Sequence, residues 1–237
     1  MNLLTCRIQR VCARVLQYGD LMAISQFPAI TKRLRLLFAS LALLAFGAPS
    51  MAGAPIQMVV LGDSLSAGYL LAQDAAFPSV LERALRAKGL SVEISNAGVS
   101  GDTSRGGLER LDWAVPEGTQ AVLVELGAND MLRGIDPLQT KDALDKIITR
   151  LKARGVRVML AGMLASPSLG KDYGDRFNAI YPELAKKHDI PLYPFFLSGV
   201  AGDRSLNLDD GMHPNRKGVE VMVQGILPSV TSFLSGL

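Results

Sequence analysis

Two short segments of this 237-residue chain hold residue types that do nucleophilic chemistry together. The first, Leu61-Gly62-Asp63-Ser64-Leu65-Ser66-Ala67-Gly68, offers a serine just after an apolar run, in a turn with glycines nearby. The second, Asp210-Gly211-Met212-His213-Pro214-Asn215, sets an aspartate three residues ahead of a histidine. A hydroxyl needs a base to act as a nucleophile near neutral pH, and imidazole is the usual one. The imidazole needs a hydrogen-bonding partner on its other nitrogen, to fix the tautomer and stabilise the cation that forms. One turn of chain brings Asp210 to His213, and Pro214 keeps His213 out of helical conformation. The rival histidine, His188, follows Lys186 and Lys187 at a helix end, where cations sit well against the dipole. His213 is therefore the expected base for Ser64. The Ser64 segment departs from the G-x-S-x-G elbow, with Ser66 in its last position, and a phosphate-cradling loop or a helix cap would use similar residues.

Acyl chemistry also needs donors for a developing negative oxygen. Gly98-Val99-Ser100-Gly101-Asp102 can aim the Gly101 N–H into a site unhindered, and Gly127-Ala128-Asn129-Asp130 can offer the Asn129 amide. Taken singly, each reads as a turn. Asp63 is expected to order its turn, Ser66 to serve as a helix-start hydroxyl, Asp130 to position a neighbouring loop and Trp113 to pack at a helix end.

These segments need a frame. Residues 56–61 form a short apolar run ending at Gly62, as a buried parallel strand does. Strands are also expected at 91–95, 121–126, 156–161 and 191–193. Helices are expected at 77–87, 103–113, 137–154, 173–188 and 215–234, the last interrupted by Pro228. Strand alternating with helix over about 185 residues indicates one α/β domain at 53–237, a parallel sheet of about five strands with helices on both faces. In such sheets chemistry collects at the strands' carboxyl ends, where all four segments fall or lie just ahead of a helix. The segment after the fourth strand, with Met163, Leu164 and Leu169, is expected to wall the substrate's apolar part.

The same segments resemble a known family. LGDSLSAGY (61–69), NAGVSGDTSRGGLERL (96–111), VLVELGANDMLRG (122–134) and DDGMHPNRKG (209–218) match the four blocks of the SGNH, or GDSL-type, hydrolases. YPELAKKHDIPLYPFF (181–196) fits as well. The chain looks most like the bacterial group of acyl-CoA thioesterase I, arylesterase and lysophospholipase enzymes. That resemblance implies a flavodoxin-like three-layer fold with strand order 2-1-3-4-5 and a triad of Ser64, His213 and Asp210. It also implies an oxyanion hole of Ser64 N–H, Gly101 N–H and the Asn129 side chain. The activity implied is hydrolysis of acyl or aryl esters and acyl thioesters, without metal or other cofactor. A carbohydrate or peptidoglycan O-acetylesterase, acyl transfer to another acceptor, and a non-catalytic anion-binding module are the alternatives.

Composition narrows the partners. The first 52 residues carry six basic side chains against one acidic, which leaves 19 basic and 21 acidic beyond them. The excess charge of +3 thus belongs to a leader, and no nucleic-acid partner is implied. Lys32, Arg33 and Arg35 precede an apolar run at 36–46, and Ser50-Met51-Ala52 offers the small residues that signal peptidase reads. Eleven residues are too few to span a bilayer, so no stable membrane anchor is expected. Residues 1–21 precede a second methionine, Met22, and read as an over-extended start. Both cysteines, Cys6 and Cys12, lie in this leader, so the remainder has no disulfide or thiolate metal site. The expected product is an exported, periplasmic or secreted protein acting on a small ester, with a monomer favoured. N-terminal sequencing of exported material is expected to begin at or near Gly53; recovery of the full chain in membranes would show an anchor instead.

Overall fold

A computed structural model describes residues 54–237; the proposed signal segment and its cleavage site lie outside the described residues. In chain order the elements are β1 (Ile56–Gly62), α1 (Ser64–Ala67), α2 (Phe77–Ala87), β2 (Val92–Gly98), α3 (Ser104–Glu109) and α4 (Leu111–Ala114). There follow β3 (Ala121–Glu125), α5 (Ala128–Leu132), α6 (Pro137–Ala153), β4 (Arg157–Ala161), α7 (Lys171–Asn178), α8 (Ile180–His188), β5 (Leu192–Tyr193) and α9 (Arg216–Leu234). All strand pairs are parallel, in the order β2-β1-β3-β4-β5. Every residue of β3 is buried, because a central parallel strand is covered on both faces.

The order has a mechanical consequence. From β1 the chain steps one way to β2, then returns past β1 to β3 and continues the other way. Right-handed crossovers therefore put α2 on one face and α3, α6 and α8 on the other, while α9, which follows the last strand, returns to the face of α2. The helices pack accordingly: α9 against α2, and α6 against α3 and α8. The point of reversal lies at the carboxyl end of β1, the place where open α/β sheets bind ligands. Gly62 pairs with Gly98 of β2 and with Glu125 of β3, so three strands end level there.

Several expected boundaries move for physical reasons. The helix expected at 173–188 is two helices, since Pro182 lacks the N–H that would bond the Asn178 carbonyl where α7 ends. The helix expected at 103–113 also divides, at Arg110, whose side chain turns inward. By contrast Pro228 does not interrupt α9. It sits on the exposed side of the helix together with Gln224, the residue whose carbonyl it leaves free, so water can satisfy that group. Trp113 does not pack inward; it is 71% exposed, with Arg110 5.8 Å from its ring. The second strand runs on to Gly98 because it stays paired with β1 throughout.

Gly127, between β3 and α5, has φ of 118°, and a Cβ there would stand 2.2 Å from the Tyr181 hydroxyl. That hydroxyl donates to the Leu126 carbonyl at 3.0 Å and so locks the loop from below. Gly127→Ala combines an unfavourable φ with a steric clash and is expected to cost about 1–3 kcal/mol or more. Urea unfolding tests this, and an unchanged midpoint would refute it.

Candidate active site

Ser64 begins α1 directly after β1. Asp63 is the cap: its Oδ1 accepts the Leu65 N–H at 2.9 Å, which makes the abrupt strand-to-helix turn. Ser64 is 8% exposed. Across the site, the loop before α9 is held by Leu208 N–H to the His213 carbonyl at 2.7 Å and Asn215 N–H to the Leu206 carbonyl at 2.9 Å. Asn215 then caps α9 by accepting from Gly218 N–H.

This arrangement brings His213 to Ser64 from 149 residues away, with Nε2 2.9 Å from Oγ. The other ring nitrogen, Nδ1, lies 2.7 Å from Asp210 Oδ2. A carboxylate only accepts, so Nδ1 carries the proton and Nε2 presents its lone pair to the Ser64 hydroxyl. Asp210 Oδ1 accepts the N–H groups of His213 and Met212 at 3.0 and 2.9 Å. The His213 N–H, then the Met212 N–H and the imidazole, hold this carboxyl down at about 2. The Tyr69 ring lies against the imidazole, centroids 4.5 Å apart. His188 takes no part; its Nε2 contacts Asp145 at 2.5 Å at the far end of α8.

Gly101 and Asn129 stand on the loops flanking Ser64. Among the described residues, neither Ser64 N–H nor Gly101 N–H has a protein acceptor. The Asn129 Nδ2 donates twice, to Asp63 Oδ2 at 3.0 Å and to the Asp102 carbonyl at 2.9 Å. Asp130 ties the two loops together: it accepts from Ser104 N–H at 2.8 Å, Ser104 Oγ at 2.5 Å and Thr140 Oγ1 at 3.1 Å.

Beneath Ser64 lies a buried polar layer whose Glu125 and Arg110 the sequence analysis does not single out. Glu125, fully buried, accepts from Ser66 Oγ at 2.6 Å and from Asp63 N–H at 3.3 Å, while its Oε1 has no partner. Burial, then the charge of Asp63, raises its carboxyl well above the carboxylate range, which favours its neutral form. Burial likewise pushes Asp63 up to about 6, against hydrogen bonds from Leu65 N–H and Asn129 that favour its charged form. Arg110 reaches in from the side, bonding Asp102 at 2.6 Å and the Gly62 carbonyl at 2.9 Å. The available signal was an acidic residue inside an otherwise apolar buried strand.

A cavity of about 660 Å³ opens beside Ser64 and His213. Its lining contains no Asp, Glu, Lys or Arg; Met131, Leu132, Met163, Leu164, Phe195 and Leu197 supply much of the apolar wall. Met163 and Leu164 are where the sequence reading expected them. Leu169 is not in the wall; at the end of the turn Pro167–Leu169 it packs against the hydrophobic core. Phe195, Leu197 and Met212 carry no local signal, because they reach the cavity only through the loops that follow β5. No cluster of three or more His, Cys, Asp or Glu among the described residues could hold a metal ion.

Residues 60–221 match the GDSL-like Lipase/Acylhydrolase family. The chain is 42% identical over 185 residues to Thioesterase 1/protease 1/lysophospholipase L1 of Escherichia coli K12, covering 78% of this chain and 86% of that one. It is also 42% identical over 159 residues to an Arylesterase of Vibrio mimicus, covering 67% and 80%. Among solved structures, AlinE4, a SGNH-hydrolase family esterase, is 41% identical with a TM-score of 0.65, covering 77% of this chain and 98% of that one. By the extent of these matches, the chain belongs to the GDSL-like lipase/acylhydrolase family.

Proposed function

We propose that this protein is a serine hydrolase of ester and thioester bonds that works through an acyl-enzyme, with Ser64 as nucleophile, His213 as base and Asp210 as its orienting partner. The observation that carries the reading is the hydrogen-bonded series from Asp210 to His213 to Ser64, at 2.7 and 2.9 Å, assembled from two distant loops. Ser64 Oγ attacks the acyl carbonyl as His213 Nε2 takes its proton; the imidazolium then protonates the leaving alcohol or thiol. Water attacks the acyl-enzyme by the same route in reverse. The negative oxygen of each tetrahedral intermediate is met by Ser64 N–H, Gly101 N–H and the Asn129 N–H that leaves the Asp102 carbonyl for it. The names of the relatives, a thioesterase with lysophospholipase activity and an arylesterase, support this range of leaving groups.

The cavity supports an apolar acyl or aryl group over an acetylated sugar, since it offers no charged side chain and mostly hydrocarbon wall. Each buried methylene contributes up to about 0.8 kcal/mol, or roughly fourfold in affinity. Export is part of the proposal, supported by the basic, apolar and small-residue order of the leader. Among the described residues, no helix is long and apolar enough to cross a membrane.

Kinetics on p-nitrophenyl esters of increasing chain length are expected to show rising kcat/KM with length, and little action on acetylated xylan or peptidoglycan. Ser64→Ala and His213→Ala are expected to lower kcat by about 10⁴ or more in folded protein, and His188→Ala to leave it unchanged. A preference for acetylated polysaccharide would assign the protein to carbohydrate esters, and loss of activity in His188→Ala alone would overturn the base.

The pH profile makes a separate test. Asp210, with its carboxyl lowered to about 2, is ionised throughout pH 4–8; its support of the site is lost only as pH falls through 2. The acid fall in kcat/KM therefore comes from groups other than Asp210. In Asp210→Asn the imidazolium loses its counter-charge, so the acid limb is expected to move to lower pH while kcat drops. Disappearance of the limb would make Asp210 the titrating group.

A further inference from the structure

We propose that Asp63 is a positioning residue for Asn129, its carboxylate and the Asp102 carbonyl together holding the amide at the cavity wall beside Ser64. This rests on the reading of Ser64 as nucleophile and Asn129 as oxyanion donor. The carboxylate divides its work. Oδ1 takes the Leu65 N–H at 2.9 Å and turns the chain, while Oδ2 takes an Asn129 N–H at 3.0 Å. The second Asn129 hydrogen goes to Asp102 O at 2.9 Å, in the loop on the other side of the site. An amide is planar, so two acceptors on one nitrogen fix both its tilt and its rotation.

Capping alone does not call for an aspartate here. Serine caps a helix as well as aspartate does, and at this completely buried position it would bring no charge. Burial is what makes a carboxylate expensive at this position, so an aspartate here calls for a second role beside the cap. What serine lacks is the second oxygen that reaches Asn129. Asp63 is not among the residues lining the cavity, so it acts through Asn129 rather than on substrate. In the reaction the oxyanion replaces the Asp102 carbonyl as acceptor of the second N–H, while Asp63 keeps the first and with it the placement of the amide, which is where electrostatic preorganisation has its effect.

Asp63→Ser separates the two jobs, since it keeps a cap for Leu65 and removes the contact to Asn129. Its kcat and KM on a p-nitrophenyl ester, with thermal unfolding of each variant, are measured in the wild-type and Asn129→Ala backgrounds. The expected result is a kcat loss of about 10–100-fold with KM within about twofold in the first background. In Asn129→Ala the same change is expected to cost less than about threefold, because the group it acts through is gone. An equal factor in both backgrounds, a change in KM alone, or no change at all would overturn the proposal. Should Asp63→Ser not fold, Asp63→Asn carries the same comparison; its amide keeps the shape but turns a donor toward either Leu65 N–H or Asn129. Ser64→Ala in the same assay tests the underlying reading separately: activity surviving there would discard the nucleophile, whatever Asp63 does.

Discussion

The parallel pairing of β1 with β2 on one side and β3 on the other is the constraint on which the rest depends. It makes Gly62 the neighbour of both Gly98 and Glu125, so the three following loops leave the sheet at one level. Gly101 stands on one of those loops, and Ser64 and Asn129 stand in the first turns of the helices that the other two lead into. The crowding at that level is severe: a Cβ on Gly62 would meet Ser66 Oγ at 2.3 Å and Glu125 Oε2 at 2.5 Å. The nucleophile turn is therefore packed onto the sheet end through a residue with no side chain. The apolar burial that holds β1 and β3 in the sheet centre, at about 1.5–3 kcal/mol per large side chain, is what keeps these loops from drifting apart.

Three carboxyl groups within this small region are tuned in different directions by their surroundings. Asp210 sits at the rim, where two backbone N–H groups and the imidazole keep it ionised. Glu125 is sealed beneath the turn, and burial favours its neutral form. Asp63 lies between these cases, buried but held by hydrogen bonds that favour its charge. A charge near Ser64 is thus favoured where it holds the His213 imidazole or the Asn129 amide, and disfavoured where it would only repel. Salt bridges elsewhere contribute less to this picture, since most pair exposed side chains; the largely buried Arg110–Asp102 pair differs from these and braces the loop that carries Gly101.

The cavity adds the remaining requirement. Ser64 and His213 stand at its edge, and its uncharged, largely hydrocarbon wall comes from loops after β3, β4 and β5. The catalytic loops are tied tightly by Asp130 and Tyr181, while Leu132, Leu164 and Met212 at the wall remain substantially exposed. The rigid sheet end thus positions Ser64, and the cavity wall is left in part to more exposed side chains. The same division lets one scaffold hold a constant reaction centre while its specificity varies.

The amino-acid sequence by itself determined the alternation of strands and helices, the candidate nucleophile, base and oxyanion residues, and the uncharged segment after the fourth strand. Those features are local: a buried strand, a cap and an Asp-x-x-His turn are each written in a few neighbouring residues. Tertiary structure alone decided that Leu169 packs into the core while Phe195, Leu197 and Met212 face the cavity. It also decided that Pro228 is absorbed within α9 and that Glu125, read as part of an apolar strand, supports the Ser64 turn. The physical reason is the same in each case. Which face of an element meets the core, and which acceptor a buried donor finds, depends on segments tens of residues away, and no local pattern encodes that distance.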